Sequence, residues 1–141
     1  MTVKVLYKTQ AKANGGRDGR SELLDGSFGV TLATPKELGG NGNGHNPEQL
    51  FAMGYAACYL GAMKYVASQE KLATLGSDAT VTSTVGIGPR DDGGFGLEVQ
   101  LEVNLPGVPL EVAETIAQKA HHVCPYSHAT HGNISVKTTV V

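Results

Sequence analysis

The sequence contains no tryptophan, few other aromatic residues and only two cysteines, and its 11 Lys and Arg residues do not outnumber its 13 Asp and Glu residues. The basic residues are scattered, so no positive patch of the kind that binds nucleic acid or an anionic membrane is present in the sequence. The longest clear apolar stretch, residues 50–63, has fourteen uncharged residues, which is too few to cross a bilayer. We therefore expect a protein that acts on a small neutral molecule.

The two cysteines, Cys58 and Cys124, lie 66 positions apart and form no C-x-x-C motif. This spacing excludes a thioredoxin motif and a ribbon-type zinc site built from sequence neighbours. Residues 1–8 alternate like a strand and do not form the apolar core of a signal peptide, so we expect a cytoplasmic protein. In that reducing compartment two cysteines form a transient disulfide more readily than a permanent one.

Apolar periodicity and the turn residues between the periodic segments predict one α+β domain over residues 1–141, with antiparallel sheet and the order β-β-β-α-β-β-α-β. Glycine makes up 19 of the 141 residues, which favours prominent loops and close backbone contacts. The predicted strands cover residues 2–13, 21–24, 28–32, 79–88, 95–105 and 134–140, and the predicted helices cover residues 46–67 and 109–123.

The first predicted helix is the element around which we expect the rest of the chain to be organised. Asn46 can cap it, Pro47 suits its first position, and Glu48 suits the positive end of the helix dipole. No residue between 50 and 63 is charged, which is typical of a helix buried inside a protein or a dimer. A stripe of small side chains would let a second helix approach closely. The stripe consists of Gly54, Ala57, Cys58, Gly61 and Ala62.

Cys58 therefore falls in a dry, closely packed place, where a cysteine can simply fill space as a small apolar side chain. Pro125 disfavours helix at the preceding residue, so Cys124 is expected at or just past a helix end. A second possibility is a zinc site, because soft ligands are concentrated within eleven residues. The candidate ligands are His121, His122, Cys124, His128 and His131.

Five motifs together indicate a family. They are the Gly-Gly-Arg-Asp-Gly-Arg loop that contains Arg17, the glycine run at 39–44, the Asn-Pro-Glu-Gln-Leu-Phe helix start, the Gly-Tyr-Ala-Ala-Cys sequence that ends at Cys58, and the Val-Cys-Pro-Tyr-Ser sequence around Cys124. With these motifs the chain resembles the organic hydroperoxide resistance proteins, a branch of the osmotically inducible protein C superfamily. The resemblance covers essentially its full length.

The resemblance implies a thiol-dependent peroxidase for organic hydroperoxides, with no cofactor and no resident metal. Matched by position, Cys58 corresponds to the peroxidatic cysteine and Cys124 to the resolving cysteine. Arg17 corresponds to the arginine that activates the thiolate, and Glu48 to the carboxylate that holds this arginine. The family form is an intertwined homodimer in which sheets from both chains wrap two central helices. The implied reductant is a lipoylated protein or another dithiol.

The chemistry explains why these residue types are needed. A free thiol is only about 3% ionised at pH 7, and burial reduces this fraction further, so a cation such as Arg17 must favour the thiolate. Glu48 precedes Cys58 by ten residues, or about 15 Å along a straight helix. We therefore expect Arg17 to span the gap, the chain to bend near Glu48, or two chains to combine. An alternative function is a redox-sensitive module that binds a lipid-like ligand without catalysis.

Overall fold

The computed structural model describes residues 2–141, which divide into two compact parts, one ending at Pro47 and the other spanning Glu48–Val141. Two three-stranded sheets and three α-helices form within these residues, which confirms the predicted α+β class. The single domain expected over residues 1–141 stays a prediction. None of the helices in the described chain combines the length and the hydropathy that a membrane crossing requires.

The first part contains an antiparallel meander of β1 (Ala11–Asn14), β2 (Arg20–Leu23) and β3 (Gly29–Thr31). A single 3-10 turn, Gly16–Asp18, connects β1 to β2. Gly15 and Gly16 have φ angles of 72° and 59° there, a conformation that side chains with a Cβ rarely adopt. The glycines of this loop are therefore required for the turn that presents Arg17.

The strand predicted over residues 2–13 is wrong for its first nine residues, since the described chain forms no strand over 2–10 and β1 begins at Ala11. Alternating sequence favours a strand, but a strand also needs a neighbour for its N–H and C=O groups. Large apolar side chains in this segment remain in solvent, with Leu6 89% and Tyr7 81% exposed.

The second part begins with α1 (Pro47–Gln69) and continues through β4 (Thr80–Pro89), β5 (Phe95–Asn104), α2 (Leu110–Val123), α3 (Pro125–Thr130) and β6 (Val136–Val140). The predicted order lacked α3. β4 and β5 pair along their full lengths in antiparallel fashion, but β6 runs parallel to β5. The expectation of purely antiparallel sheet is therefore wrong for β6. The helical crossover through α2 and α3 brings the chain back to the same end of the sheet, which permits parallel pairing.

The core lies where one face of α1 meets the inner face of β5 and the apolar stripe of α2. Alternate β5 residues and every third or fourth helical residue point into it, as the two periodicities require. Within the described chain α1 is buried on one face only, and burial of its other face in a dimer stays a prediction. Met53 and Tyr65 are more than half exposed, and Ala57 and Gly61 also face solvent, because the sheet and α2 cover only one side. The buried α1 residues are Tyr55, Tyr59, Ala62, Met63, Val66 and Ala67.

Candidate active site

The fold brings the two cysteines together although they are distant in sequence. Cys58 lies in the middle of α1 and is half-buried, whereas Cys124 lies between α2 and α3 and is fully buried. Both are free thiols. Their sulfur atoms are 3.4 Å apart, and the Cys124 thiol donates a hydrogen bond to the Cys58 sulfur. The structure therefore places a partly accessible thiol in direct contact with an inaccessible one.

Pro125 determines where the second cysteine lies. Cys124 has extended backbone angles, φ −67° and ψ 118°, as expected for a residue before proline. It ends α2 and at the same time caps α3, where its sulfur accepts a hydrogen bond from the Ser127 N–H at 3.5 Å. A capping side-chain oxygen normally occupies this position. The prediction that Cys124 sits at a helix end is confirmed.

The surroundings of Cys58 favour its neutral form. Burial is the largest influence and raises the pKa of the Cys58 thiol. A hydrogen bond from the Tyr126 backbone lowers this pKa, while Cys124 raises it through a hydrogen bond and through its charge. The net pKa lies above the ordinary value. Ionisation of Cys58 at neutral pH therefore requires a further positive charge.

An aromatic cluster stands beside Cys58. Phe51, Tyr55 and Tyr126 have ring centroids 5.8 to 5.9 Å apart. Tyr126 packs against Gly54, where an added Cβ would lie only 2.9 Å from the tyrosine hydroxyl oxygen. Glycine at this position thus lets α3 approach α1 on the turn that precedes Cys58. The cluster gives the neighbourhood of the thiol a largely apolar character.

A chain of buried hydroxyl groups lies behind the two cysteines, and sequence reasoning missed it. The Tyr55 hydroxyl is 2.8 Å from Ser127 Oγ, which is also 2.8 Å from His121 Nδ1. The other ring nitrogen of His121 lies 2.7 Å from Thr138 Oγ1. Burial lowers the pKa of His121, and the nearby His122 lowers it further, which favours the neutral ring. The sequence did contain one signal for this network: Tyr55, Ser127 and His121 each lie about one helical turn from Cys58 or Cys124.

The histidines do not gather around a metal position. His121 is turned toward the hydroxyl chain, and Cys124 faces Cys58. His128 and His131 are exposed. Within residues 2–141, no group of three His, Cys, Asp or Glu side chains could hold a metal ion. The structure does not support the zinc alternative.

Arg17 and Glu48 belong to different compact parts. Arg17 is half-buried in the 3-10 turn before β2, and Glu48 is half-buried in the first turn of α1. The helix is continuous from Pro47 to Gln69, so the chain does not bend away at Glu48. The neighbouring Arg20 lies on the exposed sheet surface, with its guanidinium 3.5 Å from Glu22 and 3.4 Å from Thr31 Oγ1.

Comparison with known proteins identifies the family. Residues 40–139 match the family model described as OsmC-like protein. The chain belongs to the OsmC-like family. It is 52% identical over 138 residues to the organic hydroperoxide resistance protein of Xanthomonas axonopodis pv. citri, and the match spans 97% of this chain and 96% of the relative.

Solved structures within the OsmC-like family agree with this assignment. The organic hydroperoxide resistance protein OsmC of Legionella pneumophila superposes with a TM-score of 0.91 at 47% identity, over 97% of this chain and 98% of the other. The organic hydroperoxide resistance protein OhrB of Bacillus subtilis superposes with a TM-score of 0.87 at 36% identity, over 97% and 100% of the two chains. The resemblance inferred from the motifs is confirmed. Of the four residues matched to this family, Cys58 and Cys124 are in contact, and the pairing of Arg17 with Glu48 stays a prediction.

Proposed function

We propose that the protein is a thiol-dependent peroxidase that reduces organic hydroperoxides to alcohols. The contact between a half-buried and a fully buried free thiol, 3.4 Å apart, carries this proposal. The Cys58 sulfur would be accessible to a peroxide, and the Cys124 sulfur is close enough to react with Cys58 afterwards. The names of the OsmC-like relatives at 52% and 38% identity, organic hydroperoxide resistance proteins, support the same substrate class.

In the first step, the Cys58 thiolate attacks one peroxide oxygen, the O–O bond breaks, and the alkoxide leaves as an alcohol after taking a proton. Cys58 is then a sulfenic acid. In the second step, the Cys124 sulfur attacks Cys58, and the sulfenic oxygen departs as water with the Cys124 proton. The sulfur atoms need only close from 3.4 Å to the bond length of about 2 Å. An external dithiol then reduces the disulfide.

Arg17 is the residue that we assign to activation of Cys58. Burial holds the Cys58 thiol neutral, so a permanently charged guanidinium would supply what the neighbourhood of the thiol lacks. The same cation would stabilise the departing alkoxide, where most of the rate must originate. Glu48 would orient the guanidinium. Because α1 is straight at Glu48, Arg17 spans the distance to Cys58 or a second chain takes part.

Phe51 and Tyr126, the two rings of the cluster outside the hydroxyl network, support a preference for organic hydroperoxides over hydrogen peroxide. Phe51 and Tyr126 present apolar surface on the side of Cys58, and an alkyl or fatty-acid chain gains about 25 cal/mol for each Å² of apolar area removed from water. Hydrogen peroxide has no such group. We assign the reducing role to a lipoylated protein or another dithiol, and the compartment to the cytoplasm.

We also propose that the protein works as an intertwined homodimer. The exposed small residues Ala57 and Gly61 on α1 would admit a second copy of the helix. The segment 2–10, which forms no strand in the described chain, carries exposed apolar side chains and would become a strand once it has a neighbouring strand. Both features would be covered by the same partner.

A steady-state assay with dihydrolipoamide tests the peroxidase. The wild type should turn over cumene hydroperoxide faster than hydrogen peroxide, Cys58→Ser should be inactive, and Cys124→Ser should reduce one equivalent and then stop. Normal turnover by Cys58→Ser would sink the assignment. Absence of turnover in reduced wild type would favour a binding module without catalysis.

A further inference from the structure

The hydroxyl of Ser127 is a junction between the two cysteine-bearing segments. Tyr55, one turn before Cys58 on α1, and His121, one turn before Cys124 on α2, both lie 2.8 Å from Ser127 Oγ. Ser127 is itself 4% exposed, and its backbone N–H donates to the Cys124 sulfur at 3.5 Å. One residue thus contacts the resolving sulfur and is tied to both helices.

We propose that Ser127, held by Tyr55 and His121, is a positioning residue that sets the approach of the Cys124 sulfur to Cys58 in the disulfide-forming step. This inference rests on the proposed peroxidase function. It assigns to three residues a part in the second chemical step and none in the first. None of the three contacts the peroxide in this account.

The hydrogen bonds of this network can all be satisfied at once. A hydroxyl has one proton to donate and two lone pairs. One assignment that satisfies them has neutral His121 protonated on Nε2, so that it donates to Thr138 Oγ1 and accepts the Ser127 proton at Nδ1, while Ser127 Oγ accepts the Tyr55 proton. Tyr55 is fully buried, and besides Ser127 its hydroxyl has only the longer contact of 3.3 Å to Thr130 Oγ1 among the hydrogen bonds of the described residues, so loss of the Ser127 hydroxyl removes its shorter hydrogen bond without water to replace it. These hydrogen bonds therefore favour a single arrangement of the Ser127, Tyr55 and His121 side chains.

Geometry matters more for the second step than for the first. The hydroperoxide diffuses to Cys58 and adjusts its own position, whereas both sulfur atoms of the second step belong to the protein. Attack on the sulfenic sulfur requires the Cys124 sulfur to lie opposite the departing oxygen, and a misplacement of a fraction of an ångström lowers the rate of such a step steeply. The Ser127 N–H is a contact that fixes this sulfur.

Single-turnover experiments on the full-length protein separate the two steps. Reduced protein is mixed with one equivalent of cumene hydroperoxide, consumption of the hydroperoxide reports step one, and disulfide in acid-quenched samples, measured by mass spectrometry, reports step two. In Ser127→Ala and Tyr55→Phe, we expect step one to stay within about twofold of wild type and step two to slow about tenfold. Sulfenic acid at Cys58 should accumulate and react with dimedone.

Thr115→Val is the matched control. It also removes a hydroxyl from a helix that carries part of the network, but this hydroxyl donates to the Glu111 carbonyl on α2 and is not a member of the network. It should leave the ratio of the two rates unchanged. Tyr55→Phe retains the ring, so it decides the matter if Ser127→Ala folds poorly.

Two results would overturn the inference while the peroxidase stands. One is disulfide formation at the wild-type rate in both variants, and the other is an equal slowing of both steps, which would indicate a general loss of structure. Failure of the wild type to consume hydroperoxide would instead remove the proposed function, and this inference with it.

Discussion

Cys58 and Cys124 carry the same thiol group in different surroundings, and this difference divides their chemistry. Cys58 is half-buried and can meet a ligand from outside, whereas Cys124 is fully buried in the core, with its sulfur in contact with Cys58 and with the Ser127 N–H. This difference supports the proposed order of events, in which a peroxide reacts with Cys58 first and the oxidised Cys58 then reacts with Cys124.

The raised pKa of Cys58 makes the effect of Arg17 dependent on pH. If Arg17 supplies the charge that ionises Cys58, Arg17→Ala should slow peroxide reduction by about 30-fold or more at pH 7. Thiolate then forms about tenfold more for each pH unit up to its raised pKa, so the deficit should shrink by pH 9. The measurement is the second-order rate constant with cumene hydroperoxide at both pH values.

Arg20→Ala is the control for this experiment. Arg20 lies in the next strand and already contacts Glu22 and Thr31 on the exposed surface, so its loss should change the rate by no more than about twofold at either pH. An equal loss at pH 7 and pH 9 in Arg17→Ala would move its role from ionisation to stabilisation of the leaving alkoxide.

At the residue scale, sequence could single out the two cysteines but not the hydrogen-bond network beside them. The motifs around Cys58 and Cys124 are local and specific, so each could be matched by position. Ser127, Tyr55 and His121 are ordinary residues whose partners lie up to 72 positions away. Only packing of α1 against α2 and α3 shows that their hydroxyl and ring groups meet.

At the element scale, the junction of α2 and α3 fixes the position of the Cys124 sulfur. Proline at 125 ends α2, keeps Cys124 extended and fits the first position of α3. Pro125→Ala would let the backbone at Cys124 relax toward helix. We expect a loss of about 1 kcal/mol in the free energy of unfolding and a slower disulfide step in single-turnover assays.

Pro109→Ala is the control variant, since Pro109 occupies the N-cap position at the opposite end of α2. It should lower stability by the same backbone mechanism but leave the rate of disulfide formation relative to peroxide reduction unchanged. If Pro125→Ala forms the disulfide as fast as Pro109→Ala, the junction of α2 and α3 does not position the Cys124 sulfur for this step.

Sequence could predict most elements because their periodicities are long and regular. The helices beginning at Pro47 and Leu110 and the β4–β5 hairpin were expected close to their observed bounds. The six-residue helix α3 is too short to show a helical period, so only the proline at its start was visible. The direction of β6 depends on the path of the crossover, which strand periodicity does not encode.

At the scale of the whole molecule, two exposed apolar features call for a partner. The outer face of α1 carries Met53, 64% exposed, near small residues, and the segment 2–10 carries exposed Val, Leu and Tyr side chains. A second copy of the chain would cover both. Sequence could suggest the proposed dimer through the small-residue stripe, but it could not show which face of α1 the chain leaves open.

Gly61→Glu tests this assembly. A charged side chain at an exposed position on the small-residue face would have to be buried between two helices, which is strongly unfavourable. We expect the wild type to sediment at twice the chain mass of 14.7 kDa and Gly61→Glu to sediment as a single chain. Gln69→Glu, at the end of the same helix, should remain like wild type. An unchanged mass for Gly61→Glu would exclude this face as the interface.

Intact-mass spectrometry of the reduced protein after one equivalent of cumene hydroperoxide reads the state of both cysteines at once. The wild type should lose two hydrogen atoms and yield a peptide pair joined through Cys58 and Cys124, while Cys124→Ser should gain one oxygen atom at Cys58. An unchanged wild-type mass with the hydroperoxide intact would contradict the peroxidase. A wild type that stops with one added oxygen and never forms the disulfide would contradict the resolving role of Cys124.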